Sequence, residues 1–290
     1  MAVFYVSAQT GNDSNNGTAA ATAKATVQAG MDLMATAGDI VYIAPGVYHE
    51  KNITTTGGVN GADHAHNKIV GDPDCEQFPG EEKGIIRVTA CDANNFPDTT
   101  NNSKIFNLAR NAYEFHNIHV DGFTSTLAAG STTQFNQYGF YSATDGRNAA
   151  INCLAQGMTH SGFYRMQVYS CIGIGCNYPF YQGHKAVNCI AIGGNYGYYF
   201  VDFAIDCIMI GGSTCFMYCT NVIGCAVIGG STAYRGNTAT QIVECMTHSV
   251  ATGFLGTSTT GTRISGSYIQ SNSHVGYKSN IANSFIPQAR

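Results

Sequence analysis

The chain has 290 residues, only 11% of them charged against a usual roughly one quarter, and carries a net charge of −4 from 14 basic and 18 acidic residues. With no basic run to neutralise successive phosphates and no apolar window of about eighteen residues, nucleic acid and membrane are not expected as partners. The opening "MAVFYVSAQTGNDSNNG" lacks the basic start and apolar stretch of a signal peptide, so assembly in the cytoplasm is expected, with the eleven cysteines as reduced thiols.

Taken in chain order, "TAAATAKATVQAGMDLMA" places Val27, Met31 and Met34 at helical spacing after a threonine-rich start, which predicts a short amphipathic helix covering the first coil of a solenoid. "GDIVYIAPGVYHE" (38 to 50) alternates as a strand and turns at Pro45 and Gly46, and "NKIVGDPD" and "KGIIRVTACD" read as further strands around a solvated turn, "CEQFPGEEKG". Between the first two, "ADHAHNK" sets His64 and His66 two apart. That spacing suits a metal if a third ligand arrives from elsewhere, and suits a polar loop or a contact to a partner chain better. "YEFHNIHVDGFT" and "YGFYSATDGRNAAINC" read as coils separated by a polar insertion near 125 to 137. They place Asp121, Asp145 and Arg147 on the upstream coils, where a carbohydrate groove could lie, although Asp-Gly is first of all a turn dipeptide.

From Cys153 the sequence becomes periodic. Cys153, Cys171, Cys189, Cys207 and Cys225 are eighteen residues apart, and Cys245 comes after twenty. Two positions before each stand Ile151, Tyr169, Val187, Ile205, Ile223 and Val243, and three positions after stand Gln156, Ile174, Ile192, Ile210, Ile228 and His248. Read as one strand, this alternation puts the aliphatic columns on the buried face together with the cysteines. Glycines at 175, 193–194, 211–212 and 229–230 mark a repeated corner, and Gly162, Phe180, Tyr198, Phe216, Tyr234 and Phe254 form an aromatic ladder. Such short strands cannot bury an apolar face within one coil, but coils stacked about 4.8 Å apart can. The cysteines then read as small buried hydrophobes. One per coil in a straight row is the wrong arrangement for a metal site, and side chains in an in-register column suit a disulfide torsion poorly; the Cys215 and Cys219 pair has no histidine nearby. The same eighteen-residue step makes His184 and Asp202 neighbours on adjacent coils.

Tyr5, Val6, Ser7, Gly11, Asp13 and Gly17, then a helix, then Gly38, Asp39, Pro45, Gly46, Tyr48 and Glu50 resemble the opening of right-handed parallel β-helix proteins of the pectate-lyase-like superfamily. The resemblance implies an all-β fold: a right-handed parallel β-helix solenoid with short coils of about 18 residues and an N-terminal capping helix. It divides the chain into a strand and capping helix over 1–37 and one continuous β-helix over 38–290. Left-handed β-helices also use eighteen-residue coils, but those read as hexapeptide repeats, and no such sub-period occurs here.

Polysaccharide lyases and hydrolases on this fold need acids clustered on one wall, whereas between 149 and 260 the only acids are Asp202, Asp206 and Glu244. No catalytic, cofactor-binding or metal-binding residue is therefore assigned, and no cofactor is expected. The chain is also similar to bacteriophage virion β-helix proteins. That similarity implies a non-enzymatic structural virion protein, a capsid decoration or fibre-like component assembled in the host cytoplasm. With the β-helix beginning at residue 3 or 4, it favours a decoration over a complete tail spike. A homotrimer is expected, with other virion proteins of the capsid or tail as partners and a cell-surface glycan as a further candidate. The alternative is a polysaccharide lyase, hydrolase or glycan-binding protein of the tail-spike kind, using Asp121, Asp145, the His184–Asp202 pair, or tyrosines such as Tyr138, Tyr141 and Tyr164 as stacking platforms.

Overall fold

The computed structural model describes residues 1–55, 60–62, 65–90, 104–122, 138–144, 147–236, 241–256, 263–275 and 280–282. The chain is a right-handed parallel β-helix, and its contacts divide it into two compact units, Met1–His160 and Ser161–Arg290. The expected insertion near 125 to 137 lies outside the described residues, as do His64 and Asp145.

In the first unit, the strands Val3–Val6, Ile40–Ile43, Asn67–Gly71, Tyr113–His116 and Ala149–Ile151 stack in parallel as one sheet. The registered positions Val3, Ile40, Lys68, Glu114 and Ala149 show that its coils are long and unequal. A second sheet joins Ile53–Thr54, Lys104–Leu108 and Tyr138–Ser142. A third joins Gly46–His49, Ile86–Thr89, His119–Asp121 and Leu154–Gln156.

The start is held by side chains that the sequence motif contains. The helix is one short turn and a half, Val27–Met31, preceded by a 3-10 turn at Ala20–Thr22, and Val27, Met31 and Met34 are all buried. Thr26 caps it by accepting from the Ala29 N–H at 3.2 Å. Glu50, reaching from the next coil, accepts from the Val27 and Gln28 N–H groups at 2.6 and 2.9 Å, and Asp13 accepts from those of Ala25 and Thr26 at 2.8 and 3.0 Å. A Cβ at Gly30 would overlap the Val6 side chain, so glycine there lets the helix lie directly on the first strand. Asp39 is buried and accepts from the Ala2, Ala35 and Thr36 N–H groups and the Thr36 hydroxyl. Tyr48 donates to the Ala44 carbonyl at 2.8 Å.

The second unit is regular. One coil runs through Lys185–Val187, Ile190–Ile192 and Tyr196–Tyr199, and the next through Phe203–Ile205, Ile208–Ile210 and Thr214–Met217, paired residue for residue eighteen positions on. The glycine corner is as expected: Gly193 and Gly194, like Gly211 and Gly212, have φ between 71° and 90°. The aromatic ladder is buried and stacked, with ring centroids 4.8 Å apart for Phe180–Tyr198 and 4.7 Å for Tyr198–Phe216. Its first rung is Phe163 rather than Gly162, because Phe163 is the residue in register with Phe180.

The phase expected for the aliphatic columns is overturned. Cys171, Cys189, Cys207, Cys225 and Cys245 do face the interior, but with Ala186, Ala204 and Val222 three positions before and Ala191, Met209 and Val227 two positions after. The residue before each cysteine, Ser170, Asn188, Asp206, Gly224 and Glu244, is left-handed with φ of 51–63°. That residue turns the chain through a corner, so strand alternation does not run across it. Val187 and Ile190 both look outward, and Ile192, Ile210 and Ile228 are exposed.

All described cysteines are free thiols. Each column thiol donates to the carbonyl two residues back, as Cys189 does to Val187 at 3.3 Å and Cys207 to Ile205 at 3.3 Å, and the Cys207 N–H donates to the Cys225 sulfur at 3.4 Å. Burial pushes the Cys189 thiol well up, and those of Cys215 and Cys219, which lie outside the column, up to about 12, so these three are neutral at pH 7.

Candidate functional site

Asp121 lies on the third sheet of the first unit. Val88 and Val120 fill the interior, so alternation turns Arg87, Thr89, His119 and Asp121 outward, with Arg87 registered beside His119 and Thr89 beside Asp121. Arg87 Nη2 meets Asp121 Oδ2 at 2.6 Å, and Asp121 is buried. His119 adjoins the pair with its Nε2 buried and unpartnered, and burial lowers its pKa. A carboxylate clamped this way serves as a counter-ion rather than as a free acid or nucleophile. Arg147 is exposed.

His66 lies at a cleft of about 420 Å³ on the first sheet of the same unit, walled by Ile40, Ala65, Lys68 and Glu114 among others. Its Nδ1 is 2.8 Å from Glu114 Oε1, while Glu114 Oε2 is 3.2 Å from His116 Nε2 and 3.6 Å from Lys68 Nζ. Burial pushes the Glu114 carboxyl up, but the His116, Lys68 and His66 contacts outweigh it and hold it below its usual range. Among the described residues no group of three His, Cys, Asp or Glu side chains is placed to hold a metal ion. Sequence reasoning misses Glu114 because its partner Lys68 lies 46 residues away, across a coil whose length nothing in the sequence displays.

In the second unit His184 Nδ1 and Asp202 Oδ2 meet at 2.8 Å, both about half exposed, as the eighteen-residue step predicts. The pair sits at the corner that follows each aromatic-ladder strand. The same corner carries an aromatic block of which the sequence points to one residue only, Tyr164. The outward ends of Tyr178–Tyr181 and Tyr196–Tyr199 put four phenol rings together. Coil-to-coil stacking gives 5.2 Å for Tyr178–Tyr196 and 5.1 Å for Tyr181–Tyr199, and stacking within a coil gives 5.0 Å for Tyr178–Tyr181 and 5.1 Å for Tyr196–Tyr199. Tyr164 extends the block edge-on at 5.2 Å from Tyr181. Phe200 and Tyr218, left-handed residues with φ of 53° and 56°, extend it at the other end, 4.6 Å from Tyr199 to Phe200 and 5.0 Å on to Tyr218. Arg165 lies over Tyr164 at 5.2 Å and Arg235 over Tyr218 at 6.0 Å.

Rings packed face to face hide their inner faces and present edges and hydroxyls. Free faces therefore occur where the rings are tilted against each other rather than stacked, above all on Phe200, which is 42% exposed. Burial, and then the neighbouring phenols, raise the Tyr178 and Tyr199 pKa values, so their hydroxyls are neutral donors and acceptors at pH 7. Apolar ring faces flanked by a row of hydroxyls and a His–Asp pair match a pyranose, which has an apolar C–H face and hydroxyls around its rim. Tyr138 and Tyr141, in the first unit, form a separate edge-to-face pair 5.1 Å apart with Lys104 over Tyr141 at 3.7 Å.

No family model matches the sequence, and no curated protein sequence matches it. Among solved structures the chain is similar to the pectate lyase Pel9A (15% identity, TM-score 0.58, over 99% of this chain and 77% of that one). It is also similar to XylC in complex with xylose (8% identity, TM-score 0.50, 98% and 68%). A third likeness is to a GH136 lacto-N-biosidase from Eubacterium ramulus (12% identity, TM-score 0.48), which the chain covers for 57% of its length, so it spans little more than half of that protein. At these identities the likeness is one of fold, the parallel β-helix.

Proposed function

We propose that the protein binds glycans without cleaving them, through the tyrosine wall of its second unit. The observation that carries this reading is the continuous surface of seven aromatic rings from Tyr164 to Tyr218, with neutral hydroxyls along it and the His184–Asp202 pair at its corner. Cleavage of a glycosidic bond ordinarily takes two carboxylates facing each other across it. Beside this wall Asp202 is bonded to His184, and Asp206 belongs to the opposite corner, next to Cys207. The solved neighbours that act on pectate or hold xylose agree in substrate class but contribute only the fold.

A glycan array followed by calorimetry tests the reading. Phe200→Ala and Tyr199→Ala should each weaken binding by about tenfold, since loss of one stacked ring is worth roughly 1–1.5 kcal/mol, and no new reducing ends should appear. Undiminished binding in both variants would refute it. Cleavage abolished by Asp202→Ala would replace it with a hydrolase or lyase.

A structural place on a bacteriophage particle is a second proposal. It is supported by the exposed isoleucines of the second unit, which suit a chain that assembles with others. Its measurement is direct: purified particles that do not contain the chain end that reading.

A further inference from the structure

The left-handed residue before each cysteine also shapes the outside of the second unit. It turns the isoleucines of the sheet that contains Ile190–Ile192 and Ile208–Ile210 to solvent in two straight columns. In one, Ile174, Ile192, Ile210 and Ile228 succeed each other in register and the next rung is His248, and in the other Ile190, Ile208, Ala226, Met246 and Tyr268 do. Ile192, Ile210, Ile228 and Met246 are 36%, 39%, 48% and 55% exposed. No charged side chain falls in either column between Ile174 and Met246. On one flank the strip is bordered by Gly193, Gly211 and Gly229, where an added Cβ would meet nothing, so nothing there rises above the sheet.

We propose that this strip is the interface with a second copy of the chain, packed face to face about a twofold axis. Three features select that occupant. The first is area. At these exposures the strip leaves roughly 500 Å² of apolar surface open per chain, at the upper end of what monomers carry in one patch, and two copies would remove about 1,000 Å², the threshold for a specific interface. The second is pitch. Rungs repeat at the parallel-strand spacing of about 4.8 Å, and an identical strip has that pitch along its whole length, so side chains of one copy fit between rungs of the other, whereas an unrelated surface matches at a few rungs only. The third is charge. An uncharged strip gives an oppositely charged partner nothing to hold, while it costs an identical strip no desolvation of ions. The axis is twofold because one flat surface meeting itself is an isologous contact.

The experiment is sedimentation equilibrium or light scattering on the full chain from about 1 to 100 µM, comparing wild type with Ile210→Lys and Ile210→Thr. Wild type should move towards twice the 30.8 kDa chain mass as concentration rises. Ile210→Lys should stay at the single-chain mass with an unchanged circular dichroism spectrum. Ile210→Thr keeps the β-branched backbone preference and guards against a folding defect in the lysine variant; it should weaken association at least tenfold. A wild-type chain that is monomeric throughout, or an assembly of any order that both variants leave intact, overturns the proposal. A monomer that associates only when another protein is added also overturns it, by assigning the strip to a different occupant.

Discussion

At the scale of single residues, the cysteine column is legible in the sequence as a column but not as a set of hydrogen bonds. The eighteen-residue spacing exposes the repeat, and burial follows from it. What the spacing hides is the left-handed residue before each cysteine. A signal for it is present, since Asn152, Asn188, Asp206 and Gly224 are the residue types that tolerate that conformation most easily, but Ser170 and Glu244 occupy the same place. With the corner in view the thiol is both acceptor and donor. The chain itself shows what a serine does there: Ser267 continues the column, accepts from the Cys245 N–H at 3.1 Å and donates to the Ser265 carbonyl at 3.0 Å. Cys225→Ser should therefore cost less than about 1 kcal/mol. Cys225→Val removes the acceptor of the buried Cys207 N–H and should cost about 1–3 kcal/mol. Urea unfolding midpoints measure both, and a serine variant less stable than the valine variant would contradict this account.

At the scale of elements, the N-terminal motif is legible because its residues are specified by backbone groups that need partners. Asp39 shows why. Burial works against its charge, but hydrogen bonds from Thr36, Ala2 and Ala35 outweigh burial and hold its pKa below 3.8. A carboxyl lowered on folding stabilises the protein above its unfolded pKa, and that contribution is lost as pH falls through the folded value. Asp39→Asn, which presents an NH₂ where N–H donors converge, should cost about 1–3 kcal/mol at pH 7. The gap between the wild-type and Asp39→Asn unfolding midpoints should narrow as pH falls below about 3.8; a constant gap down to about pH 2.5 would refute the assignment. The coils of the first unit are less legible. Alternation finds their strands, but which strand stacks on which depends on loop lengths that vary from coil to coil, so the Arg87–Asp121 and Lys68–Glu114 pairs emerge only from the register.

At the scale of the whole molecule, function depends on which sheet faces outward with what. The tyrosine wall is half legible: "YPFY" and "YGYY" lie eighteen apart, yet the spacing marks only their inner rings, Phe180 and Tyr198, as a ladder. The outer rings require knowing that both ends of that strand look out. Within the second unit the wall belongs to the Tyr196–Tyr199 sheet and the isoleucine strip to the Ile190–Ile192 sheet, separated by the glycine corner. Pairing two chains through the strip thus leaves both tyrosine walls open. Two sites joined rigidly raise the effective concentration of the second once the first is occupied, without any new contact. On a surface densely coated with the glycan that the wall binds, the wild-type chain should be retained roughly 100-fold better than Ile210→Lys, while the two bind a soluble oligosaccharide of the same glycan with equal affinity. Surface plasmon resonance at two coating densities separates the cases. Equal retention at high density would mean that binding and pairing are uncoupled, and a loss of affinity for the soluble oligosaccharide would place the isoleucine strip inside the binding site itself.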